Sequence, residues 1–316
     1  MTLSSSYDFT KINGGIVEFL QSLLLKAARV YHYGHPENHP IIVINSLKNI
    51  LGDVRDNPSR TLMVFGSNYI NEKSMRKYDE NILKNIRNKG VTSSVFIMDL
   101  EDAIFQSNSK QAEREAAKLF LLSDSPQAIL ESLVNISLLD FNRYGIFSYH
   151  LLRAFAFGKV TKKDSWIYIQ CLLRQIKSVN FTRPRQDVTM DIENCFQNVL
   201  KERSRTLTNQ FNSAYRLYHS NYVRTGHFQN LVRNWISSKE WKIKNRKIKH
   251  SPSDELISFR NSGGNYFVKI AESLINRTEN VFTKGRKIVF LDSLRMICKN
   301  VPEKTLRLIE QRLKNI

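Results

Sequence analysis

The apolar residues of this chain recur at helical spacing over most of its length. Ile16, Phe19, Leu20, Leu23, Leu24, Ala27 and Val30 fall at short, mostly three- and four-residue intervals, which places them on one stripe of an amphipathic helix. The same period predicts helices over 41–51, 72–87, 110–122, 126–138, 147–157, 164–176, 187–203, 207–222, 228–236, 266–275, 288–299 and 302–314. Ser125-Pro126 reads as an N-cap followed by proline at the first helical position, where a missing N–H costs nothing. Pro302 opens the last helix, whose stripe is Leu306, Ile309 and Leu313. Two short continuous apolar runs, 61–65 (TLMVF) and 94–98 (SVFIM), read as short buried strands. Residues 31–40 read as a loop, because Gly34, Pro36 and Pro40 interrupt them.

Turn-forming residues are scarce, with 12 glycines and 7 prolines in 316 residues. Sheet-rich and β/α-barrel chains use more. The expected fold is mainly α and multi-helix, with at most a few short strands. The polar stretch 180–186 around Pro184 suggests two lobes, 1–180 and 181–316. Hydrophobic residues are 41% of the chain, enough for a substantial core.

Charge divides the chain more sharply than hydropathy does. The net charge is +19. Residues 1–200 carry 24 Lys and Arg against 20 Asp and Glu, whereas residues 201–316 carry 24 against 9. Such asymmetry points to a polyanionic partner rather than to a fold. The cysteines, Cys171, Cys195 and Cys298, have no CxxC pairing, which fits a reducing, intracellular setting, cytoplasmic or nuclear. The first fifteen residues lack the pattern of a secretory leader, and the apolar stretch 15–31 carries Glu18, Gln21, Lys26 and Arg29. Neither a leader nor a membrane span is expected.

The basic surplus is densest between 203 and 253, where Glu240 is the sole acid. The cations are Arg203, Arg205, Arg216, Arg224, Arg233, Lys239, Lys242, Lys244, Arg246, Lys247 and Lys249. Among them lie Phe211, Tyr215, Tyr218, Tyr222, Phe228, Trp235 and Trp241, together with His219 and His227. Cations without competing carboxylates displace counterions from a phosphate backbone, and aromatic rings stack on unpaired bases. The partner expected is a nucleic acid, RNA more than DNA and single strand more than duplex, held by those eleven cations with Trp235 and Trp241. A nucleoprotein-like module with two helical lobes is one form of this, and a homo-oligomer stays open. The alternative use of the rings is structural: Leu207, Phe211, Tyr215, Tyr218 and Tyr222 also fit the core stripe of one helix.

Candidates for catalysis are sparse. His32, His35 and His39 share one loop at spacings of 3 and 4, but Pro36 and Pro40 prevent the helix that would gather them around a metal. No P-loop, GxGxxG, HExxH or GxSxG occurs. No cofactor or metal is expected, and a non-enzymatic role is favoured.

One region suggests a second class. Arg60-Thr61-Leu62, Phe65-Gly66-Ser67-Asn68, Asp99-Leu100-Glu101-Asp102-Ala103 and Ala112-Glu113-Arg114-Glu115-Ala116 together resemble the citrate lyase β subunit and HpcH/HpaI aldolase family. That resemblance implies a β/α barrel and Mg²⁺-dependent cleavage or formation of carbon–carbon bonds. It would put Arg60 on the substrate and Glu101 or Asp102 in the metal shell, with Lys159 and Glu193 near further family positions. The likeness covers about a fifth of the chain. Leu133-Val134-Asn135-Ile136 also stands where the family has an arginine-containing strand.

Overall fold

The computed structural model describes residues 15–91, 94–158, 160–176, 192–241 and 251–316. The first half of the chain supplies α1 (Gly15–Arg29), α2 (Pro40–Leu51), α3 (Arg60–Asn71), α4 (Asn81–Lys89) and α5 (Ile97–Phe105). It continues with α6 (Ser109–Leu122), α7 (Pro126–Ser137), α8 (Phe141–Phe157) and α9 (Lys162–Gln175). The second half supplies α10 (Phe196–Glu202), α11 (Arg205–Tyr218), α12 (Thr225–Ser237), α13 (Asp254–Ser262) and α14 (Tyr266–Ile275). It ends with α15 (Val281–Asn300) and α16 (Leu306–Leu313). The architecture is mainly α and multi-helix. No helix among the described residues is long and apolar enough to cross a membrane.

Local chemistry sets many of the helix starts. The hydroxyls of Ser59, Ser125, Thr161, Ser204 and Ser253 accept from the backbone N–H three residues on, and each satisfies a donor that the first helical turn leaves open. Pro126 follows Ser125 at the first helical position, as the sequence predicts. Ser125→Ala is expected to cost about 1 kcal/mol. A urea melt would register this, and an unchanged midpoint would show that the cap contributes nothing.

Both expected strands are corrected. Residues 61–65 lie inside α3, where Leu62, Met63 and Phe65 are buried. A short apolar run cannot separate a strand from a helix buried on several sides, and Ser59 supplies the helix start. In 94–98 the chain is irregular up to Phe96 and then enters α5, with Phe96 and Met98 exposed. The helix expected over 72–87 is interrupted. The backbone turns through Tyr78 at φ 68° and restarts at Asn81, because Arg76 is used elsewhere. Its backbone N–H donates to Arg29 O at 2.7 Å, and its guanidinium donates to Ala28 O at 2.7 Å and Ile167 O at 3.2 Å. These carbonyls include the open C-terminal end of α1. Among the described residues the sole β-type pairing is the isolated bridge between Val30 and Met75. The β/α barrel implied by the resemblance is therefore not the architecture: its motif segments fold as α3, α5 and α6.

The buried apolar side chains form one contiguous cluster from Phe19 to Ile316. α15 is its axis, packing on α2, α11, α14 and α16, with every residue from Lys287 to Cys298 buried. α8 lies against α2 and α11. The boundary expected near 180–186 falls outside the described residues.

A polar network crosses this core. Asp292 is fully buried on α15, accepting from Asn49 Nδ2 at 2.8 Å and Arg295 at 3.2 Å, with Arg216 at 3.7 Å. Arg295 also binds Asp53, which Lys299 meets at 2.7 Å. Arg216 donates to the Tyr149 hydroxyl at 2.8 Å. Lys48 enters from α2 with its ammonium 4.8 Å from the Phe157 ring centroid. Burial first, and Arg153 next, push its pKa down to about 7. His150 pairs with Asn45 at 2.8 Å, and burial holds it well below the usual histidine range.

Candidate nucleic-acid interface

The aromatic segment is built on α11 and α12. Leu207, Phe211, Ala214 and Leu217 make the buried stripe of α11, with Tyr215 and Tyr218 at its half-buried margin. Phe211 packs edge-on against Phe196, and Phe228 is wholly buried beside Tyr222. These rings stabilise the core by removing apolar area from water. The helical spacing describes Leu207 and Phe211 correctly and puts Tyr215 and Tyr218 at the margin, but α11 ends at Tyr218 and Tyr222 lies beyond it.

Trp235 is also interior, at 6% exposure. Its ring lies 4.5 Å from that of Phe141, and its Nε1 donates to Asn142 Oδ1 at 2.9 Å. In this conformation no base can stack on it. Trp241 is half-buried against the core. Lys242, Lys244, Arg246, Lys247 and Lys249 lie outside the described residues.

The remaining cations separate into groups with different surroundings. Arg216 points inward to Tyr149 and Asp292. Burial opposes its charge, but those two groups outweigh burial and hold its pKa above the ordinary arginine value. On α12, Arg233 donates to the Tyr218 hydroxyl at 2.7 Å and lies over that ring. Lys239 donates to Asn142 Oδ1 at 2.6 Å and lies 4.9 Å from the Trp235 ring centroid, and burial lowers its pKa. The backbone N–H of Arg224 donates to Glu131. Among the described cations of the acid-free segment, Arg203 and Arg205 are a pair brought to one place.

That place is the corner between α10 and α11. Arg203 turns the chain there in the left-handed region, at φ 63°. Its guanidinium donates to Gln311 Oε1 at 2.8 Å, and Arg205 donates to Asn315 O at 2.7 Å. Arg312 of α16 joins them. Arg205 and Arg312 both lie over the Phe290 ring, at 5.6 and 5.0 Å from its centroid. Arg312 donates weakly to Leu200 O and Thr208 Oγ1, each at 3.3 Å. Burial, then Arg205 and Arg203, push Arg312 down to about 10. Three guanidinium groups thus converge with neutral partners, and among the described residues no carboxylate pairs with any of them.

Beside this corner opens a cleft of about 210 Å³, lined by Arg205, Thr206 and Asn209 of α11 and by Phe282, Arg286 and Lys287 of α15. Glu37, Asn38 and Tyr69 form its other wall. Lys287 is paired with Glu279 at 2.5 Å. Sequence reading missed Arg286 and Arg312, since they lie far along the chain from Arg205. Their signal was the general surplus of cations after residue 200.

The other candidate chemistry is accounted for locally. His32 Nε2 meets His35 O at 3.0 Å, His35 Nδ1 accepts from Glu37 N, and the buried His39 caps α2 by accepting from Ile41 N. Asp99 accepts from Phe96 N at 3.1 Å and so caps the start of α5. Arg60 begins α3, whereas Glu101 and Asp102 lie on α5. Glu193 pairs with His219 at 3.1 Å, and Lys159 lies outside the described residues. No group of three His, Cys, Asp or Glu among the described residues could hold a metal ion. The chain matches no protein-family model, no curated protein and no solved structure.

Proposed function

We propose that this protein binds single-stranded nucleic acid, RNA foremost, through the phosphate backbone, and that it does so as a nucleoprotein-like module without catalysis. The observation that carries the reading is the convergence of Arg203 and Arg205 with the buried Arg312 beside them, no carboxylate among the described residues pairing with any of the three. Gathering like charges costs free energy that a polyanion returns on binding. The charge asymmetry of the sequence supports the same reading, with Arg233 on α12 and Arg224 and Lys239 flanking its two ends as secondary contacts.

The test is filter binding of a labelled oligouridylate across a salt series. Log affinity is expected to fall linearly with log salt. The double variant Arg203→Ala/Arg205→Ala is expected to reduce that slope by about 1.4, since each phosphate contact on a single strand contributes about 0.7. Affinity that ignores salt, or a slope unchanged in a variant with a wild-type melting curve, would count against the reading.

A further inference from the structure

We propose that the cleft between the α2–α3 side and the α11–α15 side is a pocket for one nucleotide unit, with phosphate at the start of α11 and base on Phe282. The strand to which that nucleotide belongs rests on the function proposed above. The pocket itself rests on separate observations.

The first is Asn209. It is 9% exposed, it lines the cleft, and its Oδ1 is buried without a hydrogen-bond partner. Buried amides are almost always paired within the protein; the Asn209 Oδ1 is closed off from solvent behind the cleft wall, so a ligand group would serve it only after the amide turns toward the cleft. The second is the start of α11. Ser204 Oγ accepts from Leu207 N, while the backbone N–H groups of Arg205 and Thr206 meet no partner among the described residues. Open N–H groups at the positive end of a fourteen-residue helix favour an anion, and the Arg205 side chain adds a full charge beside them.

The α15 part of the lining is suited to a base. Phe282 is 43% exposed, and the Arg286 guanidinium lies 5.8 Å from its ring centroid. An exposed ring backed by a guanidinium offers a face on which any base can stack. Glu37 stands on the facing wall. Its carboxylate accepts hydrogen bonds from ribose hydroxyls or base amino groups, and it repels a second phosphate. At about 210 Å³ the cleft is smaller than the roughly 300–1,000 Å³ typical of drug-sized ligands, so it has no room for a dinucleotide and would leave part of a single nucleotide in solvent. One phosphate, one sugar and a stacked base match these features, whether the nucleotide is free or part of a strand.

Isothermal titration of the full chain with UMP, AMP, uridine and inorganic phosphate tests this. Both mononucleotides are expected to saturate one site, with uridine and phosphate each at least tenfold weaker. Phe282→Ala is expected to weaken mononucleotide binding by about five- to 150-fold, the range that base–ring stacking carries. Arg286→Gln, also at an exposed position, is expected to weaken it less. Mononucleotides binding no better than phosphate, or an unaltered constant in a folded Phe282→Ala protein, overturns the pocket. Strand binding on filters with no mononucleotide binding overturns the pocket and leaves the proposed function standing. Mononucleotide binding without salt-dependent strand binding does the reverse. Where both occur, displacement of UMP by oligouridylate assigns the pocket to the strand, and failure to displace assigns it to free nucleotide.

Discussion

Asp292→Ala is expected to lower the unfolding free energy by about 3–5 kcal/mol, the cost of removing one partner from a buried ion pair. The carboxylate sits at zero exposure and serves Asn49, Arg295 and Arg216 at once. Without it, Arg216 keeps the Tyr149 hydroxyl and Arg295 keeps Asp53, but both guanidinium groups face a core that has lost its central anion. Lys48 lies close enough to feel the same loss. Asp292→Asn preserves shape and an acceptor for Asn49 while removing the charge, so it separates packing from electrostatics. Urea unfolding at neutral pH measures both. A loss below about 1 kcal/mol for Asp292→Ala would mean that water reaches the site and solvates the stranded arginines.

Lys48→Met is expected to act in the opposite direction, stabilising the protein by about 4 kcal/mol at neutral pH. The folded pKa is about 7 against an ordinary 10.5, and each unit corresponds to about 1.4 kcal/mol. The sign follows from proton binding. Between pH 7 and 10.5 the unfolded chain holds a proton on Lys48 that the folded chain releases, so wild-type stability rises with pH across that window. Below pH 7 the penalty is present in full. Methionine has similar length and no charge, and it fits the apolar surroundings near Phe157. Unfolding curves at pH 7, 8.5 and 10 should therefore converge for the two proteins as pH rises. A Lys48→Met protein that is less stable at pH 7, or that keeps the wild-type slope, would show that the contact with Phe157 outweighs desolvation.

What could be read in the sequence was whatever depends on neighbours three or four residues away. The α1 stripe of Phe19, Leu20, Leu23 and Leu24 is buried as its spacing implies, and Ser125-Pro126 opens α7. Thr61 to Phe65 misled because a helix buried on several faces leaves no polar alternation to separate it from a strand. Arg76 misled because its use as a plug for the end of α1 is a tertiary fact. The candidate site shows the same division. An acid-free run is visible, but which of its cations share a surface is not. Arg216 faces Asp292 and Trp235 faces Phe141, while Arg205 finds its like-charged neighbour Arg312 at the other end of the sequence. Charge density along a chain gives no direction in space. Only the rotation of α11 about its axis decides which guanidinium meets solvent.

The central position of α15 has a consequence for how the protein is made. Its run from Lys287 to Cys298 packs on α2 and α11, whose residues are translated far earlier, as well as on its chain neighbours α14 and α16. Until α15 has left the ribosome, α2 and α11 have no surface on which to bury the faces it covers, and Arg216 has no Asp292. Domains generally fold as units as they emerge, and incomplete ones expose sticky apolar surface. A nascent chain that stops short of residue 281 is thus expected to leave exposed the apolar faces of α2 and α11 that α15 covers.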